Sequence, residues 1–513
     1  MTGFLTEEEI ARLTPSELAQ HRTPIPTQIV SSDEYYPAPQ NEKQREAERR
    51  LLAMADDLGG KQGLDRRGFF QTAAGMAASF VAMNEVYGTI FDATPAEAAT
   101  PAFAEERADA LKDQLILDMH THFLRDDTRI TTFLDMRKAV GQSGWNKELA
   151  GKEQTLDDLK FANYIKEIFL DSDTKIALIS SAPSDIAQDW FLTNEQMAAA
   201  REKLNNKAGG GVGGEIGTKR LLAHAVFTPG QPDWLDKIDA ALALKPDSMK
   251  GYTIGDNTHK STSRYPWRMD DEKVAYKGYE KFLKAGVKNV CVHKGLFPPS
   301  VEKAVPNLRG YVDVSDVGQA AKDWPQLNFV IYHSGYRYVG DLNVDPALAL
   351  AEFERTGRIA WVSDLADIPE QYGVNNVYGD LGQVIAMTLV GQPHLCAATL
   401  GILLKGLGPE RICWGTDALW TGSPQWQIEG LRRLEIPEDM QKKYGFKPLG
   451  TATGPVKTAI FSGNNARLYD IDPKKAELHL KNDRFAQIKA EYQSAGPERS
   501  NLRYGYVNNN PAA

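Results

Sequence analysis

The chain has 513 residues, 25% of them charged, and a formal net charge of −9; that acidic balance excludes the basic footprint a nucleic-acid binder needs. Its three cysteines, Cys291, Cys396 and Cys413, are odd in number and far apart, which excludes a disulfide framework and implies folding in a reducing compartment.

Residues 1–64 form a polar, Pro-containing extension with Glu7-Glu8-Glu9 and Tyr35-Tyr36-Pro37, and one amphipathic helix is expected over Glu42 to Leu58. The sequence leaves open whether this arm is disordered or wraps a second copy in a homo-oligomer. Residues 65–99 open with Arg66-Arg67, continue through a weakly apolar stretch from Thr72 to Met83, and contain Ala96-Glu97-Ala98. That order resembles a twin-arginine export signal, which carries folded proteins and would suit a metalloenzyme with free thiols. The competing reading is a cytoplasmic protein whose arginine pair opens an ordinary helix. The run is too short and too polar for a stable membrane span.

From residue 110 to 480 short β-type runs alternate with helical stretches. The runs are Leu115–His120, Lys175–Ser181, Leu221–Thr228, Met249–Ile254, Val287–His293, Asn328–His333, Arg358–Ser363 and Arg411–Thr416. Helices are expected between them, among them Glu195–Leu204, Trp234–Leu244, Tyr276–Ala285, Val314–Trp324, Pro346–Arg355 and Leu381–Leu404. Eight strands with helical crossovers predict an α/β fold, a (β/α)8 TIM barrel with an N-terminal extension. An open doubly wound sheet is disfavoured because no Gly-rich phosphate loop follows the first strand. The glycines of 209–214 precede the third run among polar residues and read as a flexible loop. Residues 481–513 form a C-terminal tail.

Barrel enzymes place their chemistry at the carboxyl ends of the strands. His120 and His122, two apart on a strand, face the same way after the first run; His293 follows the fifth, His333 the sixth and Asp417 the eighth. Two convergent imidazoles suit a divalent ion. Against this stand bland readings, His293 as a hydrogen-bonded strand terminus and Asp417 as a helix N-cap. His224 and His394 read as structural, and His21, His259 and His479 carry no signal.

Five motifs in order, Asp118-Met119-His120-Thr121-His122-Phe123, Val292-His293-Lys294-Gly295, Tyr332-His333-Ser334-Gly335, Trp414-Gly415-Thr416-Asp417 and Phe461-Ser462-Gly463-Asn464-Asn465-Ala466-Arg467-Leu468, resemble the amidohydrolase superfamily. The resemblance is to its amidohydrolase-related group, which includes aminocarboxymuconate semialdehyde decarboxylase and resorcylate decarboxylases. It implies that His120, His122, His293 and Asp417 hold one metal ion and that His333 stands beside the metal's water as a general acid/base, with Asp417 orienting or deprotonating that water. Nitrogen and carboxylate donors suit Zn²⁺, with Mn²⁺ the alternative. Some amidohydrolases bridge two ions with a carboxylated lysine on the fourth strand; Lys250 lies in the fourth run but early in it, so one metal is expected.

Substrate choice is expected in the loops, where Arg264, Trp267 and Arg268 follow the fourth run, Tyr336 and Arg337 the sixth and Trp420 the eighth. Arginines near a metal suit a carboxylate-bearing small molecule, although such side chains, Arg125 included, also serve to pack or pair. The expected function is therefore a metal-dependent hydrolase acting through activated water on a small carboxylated substrate. A non-oxidative decarboxylase is the alternative, and a non-catalytic barrel used for binding or assembly the second alternative.

Overall fold

In the computed structural model, which describes residues 5, 23–31, 35–151, 153–208, 219–338, 346–495 and 506–509, the apolar runs form one sheet of eight strands. They are β1 (Leu117–Thr121), β2 (Ile176–Ile179), β3 (Leu221–Val226), β4 (Ser248–Tyr252), β5 (Asn289–His293), β6 (Asn328–Tyr332), β7 (Val377–Asp380) and β8 (Ile412–Cys413). All adjacent pairs are parallel and lie in sequence order. The sheet closes on itself where the Met119 amide donates to the Trp414 carbonyl (3.1 Å) and the Asp417 amide to the His120 carbonyl (2.7 Å). The protein is thus a (β/α)8 barrel, whose strands are buried on both faces as parallel sheets require.

Two side chains hold that seam. Asp118 accepts from the Thr416 amide (3.0 Å) and hydroxyl (2.5 Å), and Asn465 donates to the carbonyls of Leu117 (2.8 Å) and Trp414 (3.0 Å). The first, fourth and fifth sequence motifs therefore meet at one joint.

Two expected elements differ. Arg358–Ser363 is not the seventh strand: Trp361 takes a left-handed φ of 64° and leads into a helix, Val362–Tyr372. Ile359, Val362 and Leu365 are apolar because they fill the core beneath the helical layer. The seventh strand is instead Val377–Asp380, a run that an apolar search passes over because half of it is Gly379-Asp380. The stretch Leu381–Leu404 is also two helices, Val384–Gly391 and Pro393–Gly406, since Pro393 lacks the amide needed to continue a helix and starts a new one instead.

The segments before the barrel pack onto it. The Glu42–Lys61 helix opens with a capping box at Asn41. The Ala73–Tyr87 helix, the weakly apolar stretch of the sequence, is buried over most of its surface, with Phe80 and Met83 in the main core. Glu97 pairs with the buried Arg433 at 2.7 Å. Near the start of the chain, the Tyr35 hydroxyl donates to Gln383 (3.0 Å), and the Ser31 amide donates to the Tyr506 carbonyl of the tail (2.9 Å). At the opposite end of the barrel, helices Pro473–Asn482 and Arg484–Ser494 bury Leu480, Phe485 and Ile488. Among the described residues no helix is long and apolar enough to cross a membrane. Residues 209–214 lie outside the described residues.

Candidate metal centre

The carboxyl ends of β1, β5, β6, β7 and β8 converge on a buried cluster. Asp417 Oδ1 lies 3.1 Å from Nε2 of both His120 and His122. One donor atom from each of His120, His333 and Asp417 falls within 4.8 Å of the others. The His293 ring lies 4.6 Å from that of His333 and stacks on Tyr252 at 4.8 Å. All five expected side chains are brought together, with His333 inside the tightest group and His293 against its outer edge.

Backbone strain accompanies the convergence. His333 and Asp417 both have left-handed φ, 62° and 61°, a conformation that costs non-glycine residues energy and is concentrated at functional sites. The glycine of the eighth-strand motif has a steric role: a Cβ on Gly415 would collide with Asp380 Oδ1 and with His120. Lys294, in the fifth-strand motif, forms a fully buried pair with Asp316 at 2.8 Å and so serves the scaffold.

Asp380, at the end of β7, is the functional residue that sequence reasoning missed. Its Oδ2 accepts from His120 Nδ1 (2.9 Å), from the His333 amide (3.2 Å) and from the Gly382 amide (3.0 Å). Misplacing the seventh strand hid it, although an aspartate at a strand end was the one available signal. A carboxylate behind a ligand histidine fixes the ring's tautomer and orientation.

Those tautomers test whether a cation fits. His120 donates from Nδ1 to Asp380, so in the neutral ring Nε2 carries a lone pair; His333 donates from Nδ1 to the Gly382 carbonyl (2.9 Å), leaving its Nε2 as an acceptor too. A lone pair facing a carboxylate oxygen at 3.1 Å is repulsive unless a proton or a metal ion lies between them. Burial opposes the charged form of His120, but Asp417 and Asp380 raise its proton affinity above the ordinary value. Burial likewise opposes ionisation of Asp417, yet His120 and the two imidazole contacts hold its carboxyl well below the usual range. Burial pushes His122 down to about 4 and His333 down to about 3, so both are neutral donors of electron pairs at pH 7. His120, His122 and His293 with Asp417 offer three nitrogens and one carboxylate, all buried, a donor set that fits a divalent ion, with His333 beside them.

The expected substrate residues divide. Trp420 stacks on His122 at 5.3 Å and is buried with Phe191 around it, so it shapes the site. Trp267 is buried in the core behind β4 and donates to the Tyr252 carbonyl (2.9 Å). Tyr336 is likewise buried. Arg268 is paired with Asp270 (2.9 Å), Arg337 with Glu302 and Arg125 with Asp127 (2.6 Å); Arg264 is exposed. Lys250 points inward instead, its ammonium 3.1 Å from the centre of the Tyr332 ring, and that ring lies 3.9 Å from His120. His224 is structural, bonded to Tyr332 (2.6 Å) and Ser248 (2.8 Å).

The amidohydrolase family model matches residues 254–471, the stretch that carries His293, His333, Asp380 and Asp417. Over that stretch, which spans the later strands of the barrel, the chain is similar to the amidohydrolase family. Solved structures with which the chain aligns include 5-carboxyvanillate decarboxylase LigW from Sphingomonas paucimobilis, at 14% identity over 70% of this chain and 100% of that one, TM-score 0.36. Another is an amidohydrolase from Burkholderia multivorans with bound HEPES, 15% identical over 70% and 100% of the two chains, TM-score 0.39. A third is 5-carboxyvanillate decarboxylase from Novosphingobium aromaticivorans with bound manganese, 14% identical over 70% and 98%, TM-score 0.39. No curated protein matches the chain.

Proposed function

We propose that the chain is a metal-dependent hydrolase of a small, carboxylate-bearing substrate, with one divalent ion held by His120, His122, His293 and Asp417. The observation that carries this reading is the convergence of one donor atom from each of His120, His333 and Asp417 within 4.8 Å, with Nδ1 of both imidazoles already engaged by Asp380 and the Gly382 carbonyl. A nitrogen-rich donor set favours Zn²⁺, with Mn²⁺ accepted. When bound, such an ion polarises a carbonyl as a Lewis acid and acidifies a water.

The chain's own residues supply the rest. His333 Nε2, neutral at pH 7, takes a proton from the attacking water and returns it to the leaving group, while its bond to Gly382 keeps the ring from turning. Asp417 orients the water. Trp420 and Phe191 close around His122 and exclude bulk solvent. The two acidic groups, Asp380 and Asp417, balance the ion's charge.

A second reading, decarboxylation of an aromatic acid, is favoured by enclosure: His120, His333 and Asp417 are all 2% exposed or less, with aromatic rings of Tyr252, Phe191 and Trp420 packed on the imidazoles. The two are separated by stripping the full-length chain with a chelator, reloading it with Zn²⁺ or Mn²⁺, and offering carboxylated lactones and amides beside ortho-hydroxybenzoates. Ring opening or amide cleavage supports the first reading; CO₂ release alone replaces it with the second. Turnover equal in stripped and reloaded protein contradicts both.

Export by the twin-arginine route is a separate proposal, supported by the exposure of Arg66 and Arg67. Because Phe80, Met83 and the Glu97–Arg433 pair are built into the fold, the segment would have to be retained after transport. Periplasmic recovery of full-length protein, lost on Arg66→Lys with Arg67→Lys, is the expected result; cytoplasmic recovery of the wild type contradicts it.

A further inference from the structure

At the amino ends of β1, β2 and β3, opposite the metal centre, the C-terminal helices Pro473–Asn482 and Arg484–Ser494 roof a cavity of about 330 Å³, within the range of roughly 300–1,000 Å³ typical of small-molecule sites. Its cations are Lys112, Lys175, Arg220, Lys481 and Lys489. Its acids are fewer: Asp113, Asp173 and Glu477. Asp173 is taken by the buried Arg432 at 2.6 Å, and Asp113 and Glu477 stand at the exposed rim. Arg220 is satisfied from outside the cavity by Asp483 (2.7 Å), and Lys112 by Asp109 (3.0 Å). Lys175 and Lys489 differ: their ammoniums donate to main-chain carbonyls, of Lys112 (2.7 Å) and of Ser172 respectively.

Those two lysines also repel each other. Burial lowers the proton affinity of Lys175, with Asp173 and Asp113 opposing the effect and Arg220 and Arg432 adding to it. Burial pushes Lys489 down to about 8, with Lys175 and Arg220 adding repulsion and Asp173 and Asp171 opposing it; Asp171 is itself paired with Lys166 at 2.9 Å. A desolvated surplus of positive charge is relieved by an anion. The remaining walls, Leu115, Leu480 and Phe485, are apolar and buried.

We propose that this cavity is a second ligand site, separate from the metal centre, for a small organic anion. Its carboxylate or phosphate lies against the Lys175 and Lys489 ammoniums, and its apolar body lies against Leu115, Leu480 and Phe485.

The test is calorimetric titration of the full-length chain carrying His120→Ala and His122→Ala, which removes the metal centre as a competing site, with benzoate, phenyl phosphate and inorganic phosphate as probes. At pH 8, where Lys489 is about half protonated, binding should draw in roughly half a proton, read from the difference in heat between buffers of unlike ionisation enthalpy. Lys175→Met and Lys489→Met should each weaken binding about tenfold or more. Lys489→Arg, which keeps the charge without titrating, should bind while losing the proton uptake, and it guards against a methionine variant that fails to fold. Benzoate tighter than phenyl phosphate marks a carboxylate site, the reverse a phosphate site. No binding of either organic probe, affinity indifferent to both lysines, or inorganic phosphate binding as tightly as phenyl phosphate would each overturn the proposal.

Discussion

The two ends of this barrel are opposites in what they leave unmet. At the carboxyl ends of the strands, His120, His122 and His333 present nitrogen atoms to a carboxylate, a crowd of electron-pair donors that suits a cation. At the amino ends, Lys175, Lys489 and Arg220 crowd together with too few free acids. In both places burial lowers proton affinity, of His122 and His333 at one end and of Lys175 and Lys489 at the other, whereas Asp417 and Asp380 raise that of His120. The difference lies in the supporting groups. Asp380 and Gly382 lock ring tautomers at the upper site, which gives it direction. At the lower site flexible lysine stems rest on backbone carbonyls, which suits a ligand of less defined shape.

The contrast is broken most strongly by supplying a divalent cation. Zn²⁺ added to chelator-stripped protein at a thousand times its dissociation constant should stabilise the fold by about 4 kcal/mol, seen as a rise in melting temperature; added benzoate should give a smaller rise through the lower cavity. Next, Asp380→Asn unlocks His120 while keeping the volume of the side chain. Metal affinity should fall about 10- to 100-fold, measured by competition with a chromophoric chelator, and binding in the lower cavity should not change.

The amino end is sharpened by pH. Lys489 binds its proton less tightly folded than unfolded, about 8 against 10.5. Between those values the unfolded chain holds more protons, so stability rises with pH. Melting temperature followed from pH 8 to 10.5 should climb in the wild type and climb less in Lys489→Met. The smallest effect is expected of Tyr35→Phe, which removes the bond from the N-terminal segment to Gln383, next to Gly382. About 1 kcal/mol of stability should be lost, measured by denaturant unfolding, with a weaker influence on the metal centre through the His333 bond.

Much of the upper site was legible because strand ends carry unusual residues: histidines two apart, a histidine closing an apolar run, an aspartate after Trp414-Gly415-Thr416. Asp380 was not, since Val377-Tyr378-Gly379-Asp380 is less apolar than Ile359-Ala360-Trp361-Val362, and apolar character reports burial without saying in which layer. The arginine partners were partly visible, Asp270 and Asp127 lying two residues from Arg268 and Arg125, whereas Glu302 is 35 residues from Arg337. The charge of the lower cavity was invisible, because it needs three strand entrances and two terminal helices to meet. Also unforeseen was the low proton affinity of His333: a histidine near neutrality is the ordinary case, and burial pushes this one down to about 3.

The central claim is that one divalent ion belongs among His120, His122, His293 and Asp417. Elemental analysis of the full-length chain, purified without chelators and compared with Asp417→Asn and His293→Ala, tests it most directly. About one Zn²⁺ or Mn²⁺ per chain in the wild type, and well under half of that in each variant at equal folded content, is the predicted result. A wild type with no stoichiometric divalent ion, or variants that keep the full complement, would contradict it.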